Sequence, residues 1–216
     1  FVDPHRVRVG DRTLSAKRIF IATGTQPAIP QFPGIDTVDV LTNNNLFTLE
    51  RVPKSMVVIG GGAIAVEMAQ AFVRLGSVVT MVIRGPRLLR HVDEDAVTLV
   101  EETLQNEGIQ ILRQRQIDLI EPIVDGVRVQ TAQGDSIAAE RLLVAAGRTM
   151  NFAGMDLERA RVRYTDKGIT VNQYLQTSQK HIFAVGDCNG FAQFSHAAMH
   201  QGMVALMNAM IPHPFK

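Results

Sequence analysis

The stretch VVIGGGAIAVE, residues 57–67, restricts the possible folds more than any other part of the chain. Its apolar lead-in, MVVIG, is too short for a helix and rich in valine and isoleucine, the signature of a strand buried in a parallel sheet. AIAVEMAQAFVRLG then places its apolar residues at helical spacing and stops at Gly76, a suitable residue just past a helix C-terminus. Between strand and helix, Gly60, Gly62 and Ala65 form a GxGxxA pattern. The first glycine allows a tight turn, the second lets backbone approach a pyrophosphate, and the small third residue lets helix and strand pack closely. Amides at the helix N-terminus are then available to a phosphate. A purely structural glycine turn is the competing reading, and the strand-turn-helix context favours a dinucleotide.

Further strands are expected at SVVTMVIRG and IQILRQ, with a helix between them at DEDAVTLVEETLQNEG. A hairpin about Asp125-Gly126, a reversal near Gly134-Asp135 and a buried strand from Leu142 to Ala146 follow. This order describes an α/β fold: a doubly wound Rossmann-type parallel sheet with an antiparallel insertion, expected over residues 41–150. Before it, HRVRVGDRTLSAKRIFIATG reads as a hairpin and a buried strand, and the proline-rich TGTQPAIPQFPG as a passage between domains. TNNNLFTLE should hold a short helix. After it come a strand in GITVNQ, a strand from His181 to Val185 and a helix from about Ser195.

The bulk composition mainly excludes. A net charge of +1 over 216 residues provides no global field for nucleic acid or anionic lipid. No apolar run is long enough to span a membrane, and the N-terminal residues lack the apolar core of a secretion signal. The cytoplasm is the expected compartment, and one cysteine cannot close a disulfide within the chain.

The strand that follows the glycine loop ends in MVIRGPRLLR, residues 81–90. An acid there would accept hydrogen bonds from the adenosine ribose 2′-hydroxyl, whereas arginine accommodates a 2′-phosphate. Arg84, Arg87 and Arg90 therefore point to NADPH in preference to NADH, since guanidinium groups bind phosphate through several charge-assisted hydrogen bonds. The alternative is a solvated face, or pairing with Asp93, Glu94 and Asp95.

With IATGTQPAIPQFPG, VIGGGAIAVE, LLVAAGR and TSQKHIFAVGDCNG in this order, the chain resembles the flavin-dependent pyridine nucleotide-disulfide oxidoreductases, the family of glutathione, dihydrolipoamide and mercuric reductases. The likeness spans nearly the whole sequence. It implies that the Rossmann unit is inserted into an FAD-binding domain, with residues 1–40 closing the first FAD-domain segment, 151–210 returning to it and 211–216 beginning an interface domain. It implies FAD as second cofactor. Asp187 would accept hydrogen bonds from the ribityl chain, and the backbone amides of Ser195 and His196 would face the flavin. Gly147, in LLVAAGR, joins the cofactor-binding set. Glu67 would lie beside the nicotinamide as the one catalytic candidate, paired with a lysine outside this sequence. Ala63 stands where many relatives carry a tyrosine that gates the nicotinamide pocket.

The resemblance further implies electron delivery to a disulfide or metal-ion acceptor and a homodimer in the complete protein. The paired cysteines and the first glycine loop of such enzymes do not occur in the sequence, which is read as a piece of a longer protein. A non-catalytic dinucleotide-binding module is the competing function. Cys188 is expected to be structural, and His196 and His200, four apart on a helix, lack a third ligand, so no metal site is expected. Met199, Met203, Met207 and Met210 recur at helical spacing and are expected to pack into the core.

Overall fold

A computed structural model describes residues 1–211. All but the first residue of the expected interface-domain start at 211–216 lies outside the described residues. Packing divides the chain into two compact units: Phe1–Gln26 with the chain from Arg148 onward, and the central Pro27–Gly147.

The first unit opens with an antiparallel hairpin of β1 (Arg6–Val9) and β2 (Arg12–Ser15), followed by β3 (Ile19–Ile21).

In the central unit, β4 (Val40–Leu41) precedes the strand-glycine-helix segment, in which β5 (Ser55–Ile59) leads to α1 (Ala63–Arg74). Then follow β6 (Val78–Val82), α2 (Glu94–Asn106) and β7 (Gln110–Leu112). β8 (Ile117–Ile123), β9 (Gly126–Thr131) and β10 (Ser136–Ala139) form the antiparallel insertion, and β11 (Arg141–Val144) returns to the main sheet. That sheet is wholly parallel, in the order β4-β11-β5-β6-β7.

Strand alternation determines what covers each face. Met56, Val58, Val79, Met81 and Leu143 pack with Ala65 and Ala69 of α1 and Val97 and Leu104 of α2. The intervening Val57, Ile59, Val82, Leu142 and Val144 pack with Ile120, Val127 and Val129 of the insertion. Both helices thus share one face, and an antiparallel sheet covers the other. A side chain buried in such a layer contributes about 1.5–3 kcal/mol, so near-continuous apolar strands are what a two-sided sheet requires.

The central unit begins earlier than the expected residue 41. The proline-rich segment is packed structure: the Ile120 N–H donates to the Pro33 carbonyl at 2.8 Å, and Ile35 is buried beside Ile120. The short helix expected in TNNNLFTLE shrinks to a 3-10 turn, Leu46–Thr48. There the Asn45 side chain accepts from the Thr42 N–H at 2.7 Å, a local bond that competes with helix.

Back in the first unit, β12 (Ile182–Ala184) runs parallel to β3, and α3 (Ser195–Met210) follows. The strand expected in GITVNQ is only Gly168–Ile169, paired with Tyr164–Thr165. The methionine expectation is overturned. Met199, Met203 and Met210 are 68%, 63% and 73% exposed, and Met207 is also exposed. α3 buries Gln201 and Ala205 instead. Gln201 Oε1 accepts from the Gly186 N–H at 2.8 Å and from Asn189 at 2.7 Å, and a Cβ on Gly186 would lie 3.1 Å from Ala198 Cβ. Approach this close admits only small side chains, so the methionines turn outward.

Candidate dinucleotide-binding site

The three small residues of the glycine loop have different physical duties. Gly60 has φ +136, and a Cβ there would lie 2.2 Å from the Ala145 carbonyl oxygen. Its N–H donates to the Val82 carbonyl at 3.1 Å, which locks the turn across the sheet ends. Gly62 has ordinary extended backbone, φ −86 and ψ −179, and an added Cβ would meet nothing within 4 Å. The protein's own packing does not require glycine at 62, and the space beside it is open. Ala65 is fully buried in the helix-sheet layer.

α1 starts at Ala63 with no side-chain cap and no acid in its first turn. The Val66 N–H takes the Gly62 carbonyl at 3.1 Å, and the amides before it have no acceptor within the helix. Unsatisfied amides and the positive end of the helix dipole are what an anion needs. Ala63, the first residue of α1, and Glu67, one turn further on, are exposed, and no ion pair involves Glu67 among the described residues.

The arginine segment is fastened to that loop. The Leu89 N–H donates to the Gly61 carbonyl at 2.7 Å, with Leu89 in the left-handed region at φ +44. Leu88 is completely buried, close to where a Cβ on Gly61 would lie. Around this anchor the three arginines differ. Arg84 is exposed and makes no side-chain hydrogen bond or ion pair among the described residues. Arg87 donates through both terminal nitrogens to the carbonyls of Val92 and Arg90, each at 3.1 Å, and so shapes the loop. Arg90 donates from Nε to His91 Nε2 at 2.8 Å, an imidazole nitrogen that presents its lone pair. None of the three pairs with Asp93, Glu94 or Asp95 among the described residues.

In the first unit, Asp187 follows β12 on a 3-10 turn. Its Oδ2 accepts from Thr25 Oγ1 at 3.0 Å and lies 3.5 Å from Arg148 Nε. Arg148 also donates from Nε to Thr25 Oγ1 and from Nη2 to the Thr25 carbonyl at 2.8 Å. α3 begins at Ser195 without a side-chain cap, and Ser195 and His196 are both exposed. The exposed Gly147 has φ +141, and its carbonyl accepts from the Ala28 N–H at 3.0 Å.

Residues 1–202 match the family model described as "Pyridine nucleotide-disulphide oxidoreductase". The chain belongs to this family. Among curated relatives it is 36% identical to a glutathione reductase from Nostoc sp., over 93% of this chain and 46% of the relative. It is 37% identical to a mercuric reductase from Lysinibacillus sphaericus, over 97% of this chain and 39% of the relative. Among solved structures, the HOCl-induced flavoprotein disulfide reductase RclA from Escherichia coli superposes with a TM-score of 0.93 at 27% identity, over 100% of this chain and 50% of that one. The chain spans about half the length, or less, of the relatives it matches.

Sequence reading missed the two residues that meet Asp187, Thr25 and Arg148, although both carry a common signal. Each follows a glycine that comes shortly after a strand, in IATGT and VAAGR. Separation along the chain hid their meeting at Asp187. Neither histidine of α3 belongs to a metal-binding cluster, and no group of three or more His, Cys, Asp or Glu among the described residues is arranged to hold a metal ion. No helix among them is long and apolar enough to cross a membrane.

Cys188 is fully buried, with Sγ 3.2 Å from the Val185 carbonyl and 3.4 Å from that of Ile21. Burial pushes its thiol above the ordinary range, which lowers the thiolate fraction at neutral pH. In the native protein it should resist a thiol-specific reagent such as 5,5′-dithiobis(2-nitrobenzoate), reacting fully only in denaturant. Rapid stoichiometric labelling of the folded protein would contradict this.

Proposed function

We propose that this chain supplies the NADPH-binding unit, and part of the FAD-binding unit, of an oxidoreductase that passes electrons to a disulfide or metal-ion acceptor. The observation that carries the reading is the open space at Gly62, beside an uncapped helix start to which an arginine-bearing loop is hydrogen-bonded through Leu89 and Gly61. Pyrophosphate binding uses the free amides of α1. Arg84 and Arg90 hold the 2′-phosphate, and Arg87 keeps the loop in shape. Glu67, one turn into α1, lies beside the nicotinamide.

The second cofactor fits the polar cluster of the first unit. Asp187, oriented by Thr25 and Arg148, accepts from ribityl hydroxyls, and the α3 amides at Ser195 and His196 face the flavin. When bound, NADPH supplies a hydride and FAD accepts it; the protein's contribution is to bind and orient the two. The names of the relatives support a disulfide or a metal ion as acceptor. The family resemblance supports a homodimer of the complete protein, in the cytoplasm.

Arg84→Glu tests the assignment. Loss of one charge-assisted contact costs about 1.5–3 kcal/mol, so the NADPH preference should fall by at least about 10- to 150-fold, and reverse once the new carboxylate meets the 2′-hydroxyl. Fluorescence titration of wild type and variant with both nucleotides measures this. If the NADPH and NADH dissociation constants do not move in opposite directions, the phosphate assignment fails.

A further inference from the structure

The loop that carries the three arginines is held by a residue that sequence reading passed over. Glu101 lies on α2 with its side chain only 14% exposed. Its Oε1 accepts from the Leu88 N–H at 2.9 Å, and its Oε2 accepts from Arg113 Nη2 at 2.7 Å. The next amide, Leu89, is the one bonded to the glycine loop at Gly61. Two successive backbone donors are therefore tied down in different directions, one to α2 and one to the glycine loop. The buried Leu88 side chain leaves little freedom between them. Arg87 immediately precedes this double anchor and Arg90 immediately follows it.

We infer that Glu101 is a positioning residue for nucleotide selectivity: through the Leu88 amide it fixes the loop that presents Arg84 and Arg90 to the 2′-phosphate. The inference rests on the reading of the arginine loop given above. An ionised carboxylate makes the bond to Leu88 stronger than a neutral acceptor would. Arg113 has a separate task. A bare carboxylate behind an anion-binding loop would oppose the phosphate, and the Arg113 guanidinium offsets that charge while holding the carboxylate in orientation. The same bond explains how Leu88 and Leu89, two bulky residues, are kept in a tight turn with Leu89 at positive φ. The pyrophosphate position at α1 does not depend on Glu101, so the two parts of the dinucleotide should respond differently to its loss.

The test measures dissociation constants of this chain for NADPH and NADH in wild type, Glu101→Ala, Glu101→Gln and Arg84→Glu, with a thermal melt of each. Glu101→Ala should lower the NADPH-over-NADH preference by about tenfold, with NADH binding within about twofold of wild type. Glu101→Gln keeps an oxygen for the Leu88 amide and should restore most of the preference. A general structural role would weaken both nucleotides together, and that outcome overturns the inference. So does a preference unchanged, or increased, in Glu101→Ala while Arg84→Glu still shifts it. If Arg84→Glu also leaves the preference unchanged, the phosphate reading fails and the inference falls with it. Should Glu101→Ala not fold, Arg113→Met releases the carboxylate while leaving it in place, and should lower the preference in the same direction; an unchanged preference in that variant counts against the inference equally.

Discussion

Replacing Gly62 by valine is expected to weaken NADPH binding by about 100- to 20,000-fold, while the protein stays folded. Gly62 has φ −86 and ψ −179, which valine adopts without strain, and a Cβ there meets no protein atom within 4 Å. The added side chain instead fills the space that a pyrophosphate needs in order to reach the first amides of α1. Losing two charge-assisted hydrogen bonds costs about 3–6 kcal/mol, which gives the stated range. The cost in stability is the poorer fit of valine at a helix N-cap, about 1 kcal/mol. Titration with NADPH beside a thermal melt separates the two effects. An affinity within threefold of wild type would show that no phosphate approaches the loop at this residue.

Gly60→Ala should do the opposite, lowering stability by about 2–6 kcal/mol. The position combines left-handed backbone, φ +136, with a Cβ that would lie 2.2 Å from the Ala145 carbonyl oxygen. Backbone strain accounts for about 1–3 kcal/mol, and forcing an atom into a packed junction adds about 1–3 kcal/mol. The contact is with backbone at the end of β11, which cannot rotate aside as a side chain can. Against a usual total of about 5–15 kcal/mol, much of the protein could be unfolded. Urea unfolding of the variant reads the loss directly, and a change under about 1 kcal/mol would refute the clash. The two variants should thus separate two glycines of one motif: packing requires Gly60, whereas Gly62 faces open space.

Much of the central unit was legible because its signals are local. The strand MVVIG, the helix ending before Gly76 and the hairpin at Asp125 each follow from spacing and turn chemistry within a few residues. Legibility failed where two regular patterns competed on one element. In α3 the methionines and the small residues both recur at helical spacing, and only the close approach at Gly186 decides that Ala205 and Gln201 go inward. It failed again at the arginines, which are alike in sequence. Arg87 is committed to carbonyls of its own loop, and Arg84 is left unpaired among the described residues.

By itself the sequence determined the order of elements, the glycine loop and the cluster of positive charge that follows it, since each depends on neighbours along the chain. Tertiary structure alone decided that Glu101 grips the Leu88 amide, that Thr25 and Arg148 meet at Asp187, and that residues 27–40 pack with the central unit. These are bonds and contacts between segments far apart in sequence. Their partners carry no shared periodicity, and only the folded sheet brings them within hydrogen-bonding distance.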